Sequence, residues 1–277
     1  MFSIKFSDGK VYESEAPVSV FEAAKAAGNI SRDVLVARVN GVLTELSTVI
    51  DSDADATLLT FADDDGRHVF RHTAAHIMAM AVKRLYPETK QTIGPATETG
   101  YFQDFDTDVS FTPDILREIE GEMKKIVKEN LVIERVVLSK AEALRLMEEK
   151  KVPYKVEKIN ERPDGEEISF YKMGEYIDLC SGPHLHSTGL VKAFALTQCT
   201  GAYYKGDQKN KMLQRVYGIA FPTKDELKEY VAQREEAVKR DHNKIGRDLE
   251  YFTTVDTIGQ GLPVILPKGS RVIQRLQ

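Results

Sequence analysis

The sequence predicts an α+β fold built in two parts, and three observations carry that reading. Short period-two runs with turn signals dominate the first 60 or so residues. Long helical stretches and separate strands follow without the regular strand–helix–strand alternation of a parallel sheet. Between the two patterns stands an acidic break, Asp63-Asp64-Asp65-Gly66.

Phe2-Ser3-Ile4-Lys5-Phe6 alternates apolar and polar residues, and Asp8-Gly9 predicts a two-residue hairpin turn before Val11-Tyr12-Glu13-Ser14. Val20 to Ala27 predicts a helix stopped by Gly28. A second hairpin is predicted from Val36 to Leu46 with its turn at Asn40-Gly41, and Ala56 to Phe61 closes the unit as a strand. Two hairpins, one helix and a final strand match a β-grasp (ubiquitin-like) roll. After the acidic break, residues 67 to 86 predict a long apolar helix ended by Pro87. Thr112-Pro113-Asp114 opens a helix to about Lys128, and Ser139 caps another from Lys140 to Lys150. Strands are predicted at 132–138, 154–159, 168–173, 175–180, 194–198 and 213–221. Thr223 to about Glu250 predicts one charged helix with a narrow apolar stripe. The segment from Gly269 begins a helix without a stop signal, so the chain is expected to be a fragment of a longer one.

With 42% hydrophobic and 29% charged residues, the chain can bury a core and keep a charged surface. No segment approaches the ~20 apolar residues that span a bilayer. The start runs directly into strand alternation, so neither a signal nor a transit peptide is expected. Two cysteines, Cys180 and Cys199, argue against a disulfide scaffold and fit a reducing cytoplasm. The net charge of −5 does not advertise a nucleic-acid binder, so RNA contact would need a local basic patch.

Two clusters carry chemistry. In Arg71-His72-Thr73-Ala74-Ala75-His76 the imidazoles stand four apart, on one helix face away from the stripe of Ala74, Ile77, Met78, Ala81 and Leu85. Ala75, Ala79 and Met80 flank them, so that face is expected to be enclosed. About 100 residues on, Tyr176, Asp178 and Cys180 project to one face of a strand, and Ser181-Gly182-Pro183 turns the chain to present His184. Three readings stay open. The donors His72, His76, Cys180 and His184 have the types and rough spacing of a zinc site. The same side chains can instead hold and activate a water without metal. Each pair can also be purely structural. His186 is expected to point elsewhere.

These segments, with Ile93-Gly94-Pro95, Thr200 to Asp207 and Asn210 to Gly218, resemble the editing region of bacterial threonyl-tRNA synthetases in order and spacing across essentially the whole chain. The resemblance implies a TGS (β-grasp) domain over 1–62, an editing (aminoacyl-tRNA deacylase) domain over 63–222, a linker helix over 223–250, and the start of a class II catalytic domain over 251–277. It implies a pocket of His72, His76, Cys180 and His184 completed by Lys155 and Asp178, which removes serine mischarged onto threonine-specific tRNA. Members often carry tyrosine where this chain has Gln103, whose role stays open. No cofactor is expected for this part beyond the zinc alternative; ATP and a catalytic zinc belong to the remainder of the full-length enzyme, which would ligate threonine to its tRNA and form a homodimer, with this piece a monomer. Cytoplasmic location and no membrane contact are expected. The tRNA acceptor end is the expected partner, and Lys205, Lys211 and Arg215, near Tyr203 and Tyr204, are the expected phosphate contacts. Two other functions remain: a non-catalytic tRNA-binding module, and a zinc-dependent hydrolase of a small molecule.

Overall fold

The computed structural model describes every residue except 256, 260 and 277. The chain divides into two compact units, Met1–Lys224 and Asp225–Gln277.

The first unit opens with β1 (Phe2–Phe6), β2 (Val11–Ser14), β3 (Val18–Ser19), α1 (Val20–Ala26), β4 (Val34–Val39), β5 (Val42–Thr44), β6 (Val49–Ile50) and β7 (Ala54–Thr60). Five of the strands form a mixed sheet in the order β2-β1-β7-β4-β5, with β1 and β7 parallel at its centre. Helix α1 is fixed by a capping box, in which Ser19 and Glu22 each satisfy the other's backbone N–H. It closes a core of Ile4, Phe6, Val20, Ala23, Ala24 and Leu46. The Asn40-Gly41 turn has positive φ at both positions, 48° and 82°, as a two-residue hairpin requires. The first hairpin differs from expectation. Phe6 and Lys10 close it, Gly9 alone has positive φ, and its N–H returns to the Phe6 carbonyl at 2.9 Å. The loop is therefore three residues long, with glycine in the left-handed position.

Next come α2 (Asp64–Leu85), β8 (Lys90–Gln91), β9 (Tyr101–Asp106), α3 (Pro113–Glu129), β10 (Ile133–Leu138), α4 (Lys140–Glu149), α5 (Pro153–Asn160), β11 (Ile168–Met173), β12 (Tyr176–Leu179), β13 (Ala193–Tyr203) and β14 (Met212–Phe221). The acidic break lies between β7 and α2 and runs into the helix: Asp63 is its N-cap residue, and Asp64 and Asp65 form its first turn, where carboxylates suit the positive helix end. Helix α2 is buried on nearly every side, from Val69 through Val82. Sheets β13-β14-β9-β8 and β10-β11-β12 complete this unit, which is mixed α and β as the sequence predicts.

The expected strand at 154–159 is a correction: the segment is helix α5. Pro153 occupies its first turn, where a missing N–H costs nothing. The buried residues, Lys155 and Ile159, are four apart, which is helical and not strand spacing. In the second unit are α6 (Lys224–Lys239), α7 (His242–Asp248), β15 (Phe252–Thr254), β16 (Pro263–Ile265) and α8 (Pro267–Leu276). The single helix expected from Thr223 to Glu250 is two, because the Asp241 side chain accepts from the Asn243 N–H and starts α7 afresh.

Candidate functional site

Helix α2 supplies His72 and His76, one turn apart, with ring centroids 5.0 Å from each other. The end of β12 and the loop after it supply Asp178, Cys180 and His184. The His184 ring lies 4.4 Å from His72 and 4.3 Å from His76. Cys180 Sγ stands 3.4 Å from His72 Nε2 and 3.4 Å from His184 Nε2. The ligand-capable atoms of these four residues all fall within 4.8 Å of one another. Helix α5 adds Lys155, whose ammonium sits 3.0 Å from an Asp178 carboxylate oxygen, both side chains buried. The other Asp178 oxygen is 3.9 Å from His76 Nδ1, a nitrogen that is buried without a hydrogen-bond partner. The six residues singled out for catalysis therefore come together. His186 faces away, against Phe21.

The loop after β12 owes its path to Gly182. Its φ is +68°, and a Cβ there would lie 1.8 Å from the Tyr171 hydroxyl. Its N–H points at Cys180 Sγ from 3.3 Å. Tyr171 packs on the far side of His184, ring centroids 4.5 Å apart, and donates its hydroxyl to Glu45, just after β5. Thr73, between the two helix histidines, accepts from the Leu185 N–H at 3.2 Å and meets His184 Nδ1 at 3.1 Å.

Burial dominates the electrostatics. His72 falls to about 4, with desolvation the largest cause and His68 next. Desolvation also pushes His76 and His184 well below the usual imidazole range, helped by their neighbouring rings. The Cys180 thiol rises to about 11, again by burial first. At neutral pH the cluster is three neutral imidazoles and a neutral thiol, with the Lys155–Asp178 pair beside it.

A cleft of about 410 Å³ opens over this cluster, lined also by Thr92, Gly94, Gln103, Lys158 and Arg162. Gln103 is buried, and its amide lies where a Cβ on Gly94 would be, 1.9 Å from its oxygen. Its one hydrogen bond, to the neighbouring Asp104 carbonyl, is long at 3.5 Å. Lys158 escapes a strand reading, which sends 155 and 158 to opposite faces, and Arg162 lies just beyond the end of α5. On a helix, positions 155 and 158 share a face. Thr73 is a further site residue, and its sequence signal is a hydroxyl placed inside the histidine pair.

The three expected phosphate contacts are not free. Lys205 pairs with Glu157 at 2.7 Å and Glu161 at 2.8 Å. Lys211 pairs with Asp106 at 2.6 Å. Arg215 grips Asp104 through two nitrogens and stacks 4.0 Å from the Phe102 ring.

Residues 168–217, from β11 into β14, match the family described as "Threonyl and Alanyl tRNA synthetase second additional domain". The match takes in Asp178, Cys180 and His184, and gives the class: a chain with the additional domain of these synthetases. Along its whole length the chain is 50% identical to the threonine--tRNA ligase of Clostridium perfringens (strain SM101 / Type A), covering 43% of that protein. It is 50% identical, over 96% of its length, to that of Caldanaerobacter subterraneus subsp. tengcongensis, covering 41% of it. To that of Carboxydothermus hydrogenoformans it is 49% identical over its full length, covering 44% of it. The chain belongs to the threonine--tRNA ligase family and spans less than half the length of these relatives.

Proposed function

We propose that the chain hydrolyses the ester of serine mischarged onto threonine-specific tRNA, and that His72, His76, Lys155, Asp178, Cys180 and His184 do this work. The observation that carries the reading is the convergence of neutral imidazoles on a buried Lys155–Asp178 pair in one cleft, in a chain of this family. One methyl separates threonine from serine and gives a synthetic site only ~1–3 kcal/mol of discrimination. A separate hydrolytic pocket supplies the rest.

In this scheme a water attacks the ester carbonyl, the bond to the terminal ribose oxygen breaks, and serine leaves as the free acid. An unprotonated His72 takes the water's proton. That proton passes to the ribose oxygen, helped by the vicinal hydroxyl. Lys155, held by Asp178, stabilises the developing oxyanion. Replacing His72 or His184 with alanine removes hydrolysis while leaving the fold; undiminished hydrolysis by the double variant would refute the assignment.

A second reading rests on the donor set. Zinc bonds of about 2.0–2.3 Å in a tetrahedron put ligand atoms about 3.3–3.8 Å apart. Both sulfur–nitrogen separations, 3.4 Å, fall in that range. His72, His76, Cys180 and His184 would hold the ion, with Thr73 orienting His184 from behind; because four protein ligands close a tetrahedral shell, the metal would supply Lewis acidity only where one of them gave up its place to water or substrate. Metal analysis of untagged protein separates the readings: one zinc per chain, with hydrolysis lost on chelation, favours the second.

The order β2-β1-β7-β4-β5 with α1 packed on it supports a β-grasp TGS unit over 1–62. The same resemblance supports an editing domain over 63–222, a linker over 223–250 and the start of a catalytic domain over 251–277. Likeness to threonine--tRNA ligases supports a tRNA acceptor end as partner and a cytoplasmic location. Among the described residues no helix is long and apolar enough to cross a membrane.

A further inference from the structure

On the face of α5 turned away from the cleft lies a second groove of about 690 Å³. The end of α2, the turn after it and the α4–α5 junction bound it. Four lysines line it, Lys83, Lys90, Lys150 and Lys151, against two acids, Glu88 and Glu148. Lys83 is anchored, donating to the backbone carbonyls of Pro87 and Thr89. Among the described residues, Lys90, Lys150 and Lys151 form no hydrogen bond or ion pair through their side chains.

The junction holds two of these lysines firmly. The Lys151 N–H bonds the Glu148 carbonyl at 3.0 Å and the Val152 N–H bonds that of Met147 at 3.0 Å. Lys151 has φ +56°, a helix-end conformation normally given to glycine or asparagine. The dipole at the end of α4 amounts to about half a charge and does not account for four lysines. Burial depresses Lys83 first; Glu88 opposes that, and Lys150 and Lys90 push it down again, so four lysines share this groove with only the two acids, Glu88 and Glu148. The β13–β14 hairpin is the opposite case, since Lys205, Lys211 and Arg215 there already have carboxylates.

Position matters as much as charge. Lys83 stands seven residues from His76 on α2, or about 10 Å at the helical rise. That equals about three nucleotides of stacked strand at about 3.4 Å each.

The geometry points to this groove as the seat of RNA backbone phosphates about three nucleotides from an ester held in the cleft. It rests on the reading of the cleft as a pocket for an RNA-linked ester.

The test is the triple variant Lys90→Gln, Lys150→Gln, Lys151→Gln in the full chain. Its binding to uncharged threonine-specific tRNA is measured from 50 to 200 mM salt, alongside hydrolysis of the seryl ester of adenosine, which carries no phosphate and is too short to reach the groove. Three lost phosphate contacts should lower the log–log salt slope by about 2, at about 0.7 each, and weaken binding about tenfold at low salt. Hydrolysis of the short ester should be unchanged, and Lys205→Gln should leave binding nearly unaltered. Unchanged affinity and slope in the triple variant would overturn the proposal, as would a parallel loss of short-ester hydrolysis. Should the wild-type chain hydrolyse no ester yet lose tRNA binding on triple substitution, the groove would stand and the hydrolytic reading would fail.

Discussion

His72 shows how burial sets both chemistry and stability. Its imidazole titrates near 4, against 6.5 when free in water. Between those values the unfolded chain binds a proton that the folded chain refuses, so stability falls as pH drops from 6.5 toward 4. The loss is up to about 1.4 kcal/mol per pH unit, and the lowered His76 and His184 act in the same direction. Urea midpoints at pH 7 and pH 5 should differ markedly in the wild type and less in His72→Gln. For the same reason His72 stays a competent base at pH 5.5. The double variant His72→Ala, His184→Ala should lose at least ~10²-fold in hydrolysis, the range for general acid–base groups, checked in single-turnover assays. The Lys155–Asp178 pair adds a different prediction. Asp178→Asn leaves a buried ammonium unpaired and should cost about 3–5 kcal/mol in denaturant unfolding. Lys155→Met with Asp178→Leu should recover much of that. At this scale the sequence was informative: histidine spacing on a helix and alternation on a strand brought out the six residues that meet. Lys158 and Arg162 were hidden because their membership of the cleft depends on the conformation of α5.

At the scale of elements, legibility followed local signals. Ser139 with Glu142, Thr112 with Pro113, and Asn40-Gly41 each settle their own geometry within a few residues, and those elements lie where they are expected. Helix α5 reads as a strand because Tyr154 and Val156, with Lys155 and Glu157 between them, imitate alternation over a segment too short for the two periods to separate. What decides it is tertiary, since Ile159 packs in a core with Ala143 and Phe170. The α6–α7 break depends on one side-chain cap at Asp241. The loop after β12 invites a direct test. Gly182→Ala would need a positive φ and would press on the Tyr171 hydroxyl. It should displace Cys180 and lower hydrolysis at least tenfold, with the unfolding midpoint moved far less than by Asp178→Asn.

Over the whole molecule, net charge says little about any one surface. The chain stands at −5, and the basic run in the β13–β14 hairpin is paired with Glu157, Glu161, Asp106 and Asp104. Pairing of that kind depends on which acidic residues the fold carries to the hairpin, and sequence spacing does not encode it. The groove's four lysines come together from three separate segments, α2, β8 and the α4–α5 junction. The cleft is likewise a product of assembly, because α2, β12 and α5 reach it from positions some 100 residues apart. The account as a whole stands on what that cleft does to an aminoacyl ester. The most direct measurement is hydrolysis of Ser-tRNA and Thr-tRNA, both on threonine-specific tRNA, by the purified chain. The account predicts rapid loss of the seryl ester with the threonyl ester spared. Hydrolysis of neither above the spontaneous rate, or of both at equal rates, would contradict it.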